Sequence, residues 1–238
     1  TAHPTSTEIV LLHGPDGRLI STITKPRLRK LSNIYHPQDN TNTFPEALSD
    51  VILRHNTTTY RESLAKERKL HKQHKQDHQP EYEEPWHIPD ALYDTLCNCF
   101  KIKRVIHCSP MTLPLRAKEY ISHDPRDTTF GAIPYTRTAW PDASLALPIY
   151  KAEQLTIALE QALYSAHAHR HTQPSSHILI LPNWQHSPYL ARNLHSAYVQ
   201  KLTSIPYLPT HNAKKLKNNT KLNIYLVANE KALRLLDP

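Results

Sequence analysis

Glycine is almost missing from this chain, with only Gly14, Gly17 and Gly131 in 238 residues. Three glycines so placed cannot make a G-x-G-x-x-G or a G-x-x-x-x-G-K-[ST] loop, which excludes dinucleotide and P-loop chemistry of the usual kind. Cysteine is also scarce. Cys97, Cys99 and Cys108 build no disulfide framework, so a reduced intracellular setting, nuclear or cytoplasmic, is expected. No apolar run approaches the length of a bilayer span and no signal peptide is seen, so a membrane partner is not expected. Methionine occurs once, as Met111, and the chain opens on Thr1. It is therefore expected to be a piece of a multidomain protein or polyprotein, with other domains of that parent as neighbours.

What is present is positive charge. Lys and Arg number 29 against 21 Asp and Glu, a formal +8, and 17 His stand beside them. Such an excess favours a polyanionic partner, RNA or DNA, although a plain basic protein has the same balance. Apolar residues make up 39%, enough for a core in a chain of this length. Proline is abundant at 20, and it punctuates the chain.

Residues 8–13 and 18–24 flank Gly14-Pro-Asp-Gly17, a β-hairpin signal. Residues 25–30 (KPRLRK) read as a basic loop, either solvated or touching phosphate through Arg27, Arg29 and Lys30. Residues 44–54 can form a helix with Pro45 in its first turn. Residues 60–78 are polar all round, as in an exposed helix. Residues 80–89 break helix and switch sign, so a boundary is placed there, with an N-terminal extension at 1–85 and a second domain at 86–238.

In that second part, residues 90–100 read as a helix with an Asp at its start, and 104–108 as a strand ending at Ser109-Pro110. Residues 114–121 read as a short helix or turn and 124–131 as a loop. A strand ends over residues 145–148, and 152–167 form an amphipathic helix through Leu155, Leu159 and Leu163. Residues 177–181 are a buried-strand run, 187–200 a helix, 202–207 a strand, 212–221 a basic loop and 222–227 a further strand. Strands alternating with helices indicate an α/β sheet.

Three features follow strand ends: Ser109-Pro110, Leu147-Pro148-Ile149-Tyr150, and Pro182-Asn183-Trp184. Ligands of open α/β sheets bind at the carboxyl ends of the strands. Two of the three features carry an aromatic ring suited to stacking on a base.

Their order is similar to that of the cap-specific adenosine N6-methyltransferase family, the phosphorylated-polymerase-tail interacting factors. The matching segments are Ser109-Pro110, Phe130-Gly131, Leu147-Pro148-Ile149-Tyr150 with Glu153 after it, Ile180 to Trp184, and residues 222–229, covering about 86–230. The resemblance implies a Rossmann-like methyltransferase-type sheet with helices on both faces. It implies S-adenosylmethionine as cofactor, held near Ser109, Pro110, Phe130 and Gly131, and an adenine amine as target.

The departures fall on the chemistry. Family members carry Asn-Pro-Pro-Phe, whose Asn accepts a hydrogen bond from the target amine and whose ring stacks on the flipped base. Here Leu147 stands at the Asn, and Ile149 at the second Pro. Ala132 follows Phe130-Gly131 where the family has another glycine, and Thr112 stands at the family's Asn after Ser-Pro. Losing one donor or acceptor that holds the reacting group costs about 10²–10³ in rate. The expectation is a non-catalytic, methyltransferase-like domain that binds nucleic acid and needs no cofactor.

Nucleic acid is expected at Tyr150, Asn183 and Trp184, at Lys214, Lys215, Lys217 and Lys221, and at Arg27, Arg29 and Lys30. An active adenine N6-methyltransferase using Asn183 or Glu153 is the first alternative, and a structural or protein-interaction domain of a mobile-element polyprotein the second. His167, His169 and His171, and His71, His74 and His78, have spacings open to a metal. The first set reads as a polar loop after a helix, and lysine neighbours of the second oppose a cation, so no metal is expected. The cysteines lack C-x-x-C spacing and are expected to pack as small apolar residues.

Overall fold

The computed structural model describes residues 9–13, 19–37, 43–56, 88–140, 142–148, 152–182, 192–206 and 221–236. The hairpin is present. Strand β1 (Ile9–His13) pairs antiparallel with β2 (Leu19–Thr24). The expected turn at residues 14–17 lies outside the described residues.

Residues read as a basic loop instead form helix α1 (Lys25–Ile34). Thr24 caps it by accepting from the Arg27 amide, and Pro26 sits in the first turn, where a missing N–H costs nothing. Leu31 and Arg27 face inward. Helix α2 (Phe44–Asn56) follows. Ile23, Leu31, Leu48, Val51 and Ile52 pack with Met111 and Phe130 of the second part. Burial of that shared core holds the extension to the sheet domain. The polar stretch at 60–78 lies outside the described residues.

Helix α3 (Asp90–Phe100) ends on Lys101, whose φ of 54° stops it. The strands β3 (Arg104–Ile106), β6 (Asp142–Ala146), β7 (Ser175–Pro182), β9 (Lys221–Ala228) and β8 (Val199–Pro206) form one sheet in that order. Strands β3, β6 and β7 are parallel, and β9 runs antiparallel to both of its neighbours, β7 and β8. Two short strands, β4 (Ile121–Ser122) and β5 (Ile133–Pro134), pair beside it and are tied in by a bridge from Val105 to Tyr120.

Helix α4 (Ala152–Ala168) joins β6 to β7, and α5 (Glu230–Leu236) ends the described chain. Leu155, Leu159 and Ala162 of α4 pack on Ile106, Leu179 and Val227. Alternate strand residues, Val105, Leu145, Ile178 and Ile224, pack with Leu96 of α3 and Ala232 of α5. The period-2 alternation therefore sends one set of side chains to each face, with helices on both. This is a mixed α/β fold with a central mixed sheet.

Two readings differ from the structure, and one left open is resolved by it. Residues 125–130, read as loop, are a 3-10 turn (Pro125–Phe130) capped by the Asp124 side chain, and Gly131 closes it at φ 72°. Residues 114–121, read as a short helix or turn, are turns leading into β4. Strand β8 begins at Val199, inside the span read as helix, because pairing with β9 from Val227 onward overrides local propensity.

Candidate functional site

The carboxyl end of β3 holds the site's most unusual residue. His107 follows Ile106 directly and has φ 55°, a left-handed conformation that costs a non-glycine residue about 1–3 kcal/mol. The bend is fixed from two sides. The Leu147 amide donates to Ile106 O at 3.0 Å, and the Cys108 amide donates to Ile121 O at 3.1 Å.

His107 is buried, at 3% exposure. Its Nδ1 meets Nε2 of His123, which follows β4, and its Nε2 has no hydrogen-bond partner. Tyr135 lies 4.0 Å from the His123 ring, and Trp140 lies 5.0 Å from the His107 ring, centroid to centroid. The Tyr135 hydroxyl donates to Gln161 of α4 at 3.1 Å. Burial lowers both imidazole pKa values below the usual range, and His123 and His177 push His107 down further. Sequence reasoning missed this group. Its members are 16 to 33 residues apart from His107 and follow no motif, and only the fold gathers them.

His177 is a separate, fully buried residue on β7. Ser144 Oγ and Ser175 Oγ lie 2.8 Å from its two ring nitrogens. The Ser175 hydroxyl donates to Trp140 O at 3.3 Å, so Ser175 accepts from Nε2–H and Ser144 donates to Nδ1. Desolvation holds this neutral imidazole down at about 3.

Of the residues that the resemblance assigns to a cofactor, Ser109, Pro110 and Phe130 lie buried beside the N-terminal extension, and Gly131 is exposed. The amides of Thr112 and Leu113 donate to Ser109 O at 3.1 and 3.0 Å, and the Thr112 hydroxyl accepts from the Ser109 amide at 3.1 Å. Arg27 Nη1 donates to Pro110 O at 3.3 Å and also to Leu113 O. Phe130 is buried, its ring 6.0 Å from Tyr35 and 6.5 Å from Phe44. Beside Gly131, the His36 amide donates to Thr129 O at 2.8 Å. A ligand on Ser109, Pro110 and Phe130 would have to displace the chain's own first helices.

Two expected phosphate contacts are corrected here. Arg27 has no exposure, and its guanidinium faces backbone carbonyls. Lys30 Nζ donates to Leu115 O at 2.8 Å and Ala117 O at 2.7 Å, and burial, then Arg27, lowers its pKa. These two cations fasten α1 to the sheet domain. Arg29 is exposed on the same helix.

A second fastening is ionic. Arg54 of α2 lies 2.7 Å from Asp124 and 2.9 Å from Asp127, and Ser122 donates to Asp127 at 2.6 Å. Burial raises the Asp127 pKa against the downward pull of Ser122 and Arg54. On Asp124 burial acts upward too, but the Arg126 hydrogen bonds and the arginine charges bring it to about 2. Arg54→Met strips a buried carboxylate of its cation and is expected to cost about 3 kcal/mol near pH 7. The loss should shrink in acid, where Asp127 can take a proton. Urea unfolding near pH 7 and pH 5 checks this, and an equal loss at both would contradict it.

At the end of β6, Leu147 is 4% exposed and packs in the core with Val105, Leu113 and Leu222. Pro148 beside it is buried. Ile149 and Tyr150 lie outside the described residues, as do Asn183, Trp184, Lys214, Lys215 and Lys217. Lys221 is the first residue of β9.

Among the described residues no three metal-ligating side chains converge. Arg170 lies between His167 and His171, with nitrogen contacts of 2.8 and 3.0 Å, and its fixed charge opposes a cation there. His71, His74 and His78 lie outside the described residues. Cys108 is buried, and burial pushes its thiol up to about 12. In the native protein a thiol reagent is expected to modify exposed Cys99 first, half-buried Cys97 next, and Cys108 only on unfolding. Mass mapping of a labelling time course checks that order, and early modification of Cys108 would contradict it.

No described helix is long and apolar enough to cross a membrane. No protein-family model matches the chain, and no curated protein matches it.

Proposed function

We propose that this chain is a non-catalytic, methyltransferase-like module that binds RNA or DNA. The observation that carries the reading is Leu147. It follows β6 directly, where the family resemblance implies an amine-accepting Asn, and its side chain belongs to the hydrophobic core. A leucine there offers the target amine neither donor nor acceptor.

The strand order supports the methyltransferase-type fold. Helix α4 crosses from β6 to the parallel β7, and the late strand β9 enters reversed between β7 and β8. It occupies the place in the chain where the resemblance implies a closing strand. The cover that α1 and α2 form over Ser109, Pro110 and Phe130 supports a cofactor-free role. A net charge of +8 and the lysines leading into β9 support a polyanionic partner.

Calorimetry with S-adenosylmethionine, run beside anisotropy of a labelled oligonucleotide, tests the proposal. Oligonucleotide binding without cofactor binding is the expected result. Micromolar cofactor binding would favour an active adenine methyltransferase instead. Binding of neither would favour a structural or protein-interaction domain.

A further inference from the structure

His107 and His123 come from different strands and meet nitrogen to nitrogen. Such a contact needs one ring to donate and the other to accept. His107 Nε2 is buried without a partner, and a bare lone pair there costs less than an unbonded N–H. The proton therefore sits on His107 Nδ1, and His123 Nε2 accepts it. A proton added at His123 Nε2 would set N–H against N–H and end the contact.

His123 is also the residue before the 3-10 turn that seats the extension. Asp124 caps that turn and binds Arg54 of α2 at 2.7 Å. Asp127 binds the same Arg54, Thr129 O accepts from the His36 amide, and Phe130 packs on Tyr35 and Phe44. The seven residues directly after His123 thus hold α2 and the segment that follows α1, whereas α1 itself is held by Arg27 and Lys30 on carbonyls between residues 110 and 117. The strained φ of His107 marks a geometry that its surroundings enforce.

We propose that the His107–His123 contact is a proton-operated latch on this turn. Closed, it seats α2 and the residues that follow α1 against the sheet domain. When His123 gains a proton, its ring turns out of the contact and the seat of α2 loosens.

The groups around the pair favour that response. His177 on β7 opposes charge on His107, and Trp140 and Tyr135 offer rings rather than anions. Arg137 acts on Tyr135 and adds positive charge to that side. Asp124, the neighbouring carboxylate, is engaged by Arg54 and Arg126 at 2.7 and 2.8 Å. The half-buried His123 is the member that solvent protons can reach.

Amide hydrogen exchange from about pH 7.5 to about pH 5, corrected for intrinsic rates, tests the latch. Protection in α2 is expected to fall roughly tenfold more than protection in β7 and β9. His123→Gln keeps an acceptor for His107 Nδ1 but does not titrate, and in it α2 should track the sheet. Helix and sheet losing protection in parallel in the unaltered protein would overturn the proposal. So would an unchanged profile in His123→Gln. Should that variant fail to fold, the NMR titration of the His123 ring in the unaltered protein decides. Its midpoint must coincide with that of the helix amides, and a separate midpoint would overturn the latch.

Discussion

Leu147→Asn is expected to lower the unfolding free energy by about 3–5 kcal/mol and to create no cofactor site. Leu147 is 4% exposed and belongs to one core cluster with Val105, Leu113 and Leu222. An amide there loses packed methyl groups and puts polar donors and an acceptor where the core offers apolar groups. Leu147→Met should cost less than about 1.5 kcal/mol, because it conserves volume and adds no polar atom. Urea unfolding of both variants, with S-adenosylmethionine calorimetry on the first, checks the pair. An unchanged midpoint in Leu147→Asn together with new cofactor binding would mean that the position opens on a polar pocket.

Acid should destabilise the protein well before its carboxylates titrate. The folded His177 imidazole is held at about 3, against 6.5 for an unhindered one. A depressed pKa means that the unfolded chain binds the extra proton more readily. Its contribution is complete above about pH 6.5 and is lost as pH falls toward about 3, by about 1.4 kcal/mol per pH unit. His107 and His123 are shifted in the same direction, so they steepen the same limb. Unfolding free energies measured across about pH 7 to pH 4 should show this slope, and His177→Gln should remove about one proton's share of it. A stability flat across that range, or a slope unchanged by the substitution, would contradict the reading of His177 as a neutral, doubly bonded core residue.

Much of the sheet was legible because its central strands are continuous apolar runs. Residues 177–181 and 222–227 carry little but Ile, Leu and Val between turns, as strands covered on both faces do. Helix α4 announced itself through Leu155, Leu159 and Leu163, and α3 through its leading Asp90. Helix α1 was hidden by its charge. Residues 25–30 look like a phosphate-binding strip, and the decisive signal was the smaller pairing of Thr24 as cap with Pro26 in the first turn. No local pattern says that Arg27 will be buried against Pro110 and Leu113, more than 80 residues away.

The candidate site divides the same way. The Leu147 substitution is a sequence fact, and its burial follows from an apolar neighbourhood. The extension's cover over Ser109, Pro110 and Phe130 is not a sequence fact, since it depends on side chains from both parts of the chain meeting at Met111 and Phe130. The His107–His123 contact is likewise a product of topology. Two strand ends are brought side by side, and two unremarkable histidines become one group.

Salt dependence tests the proposed charge-driven binding of nucleic acid most directly. If Lys214, Lys215, Lys217 and Lys221 each neutralise one phosphate, affinity for a labelled single-stranded oligonucleotide should fall roughly fiftyfold between about 50 and 200 mM salt. A steep, linear decline of log affinity with log salt is the predicted result. An affinity that ignores salt, or no binding at the lowest salt, would contradict it.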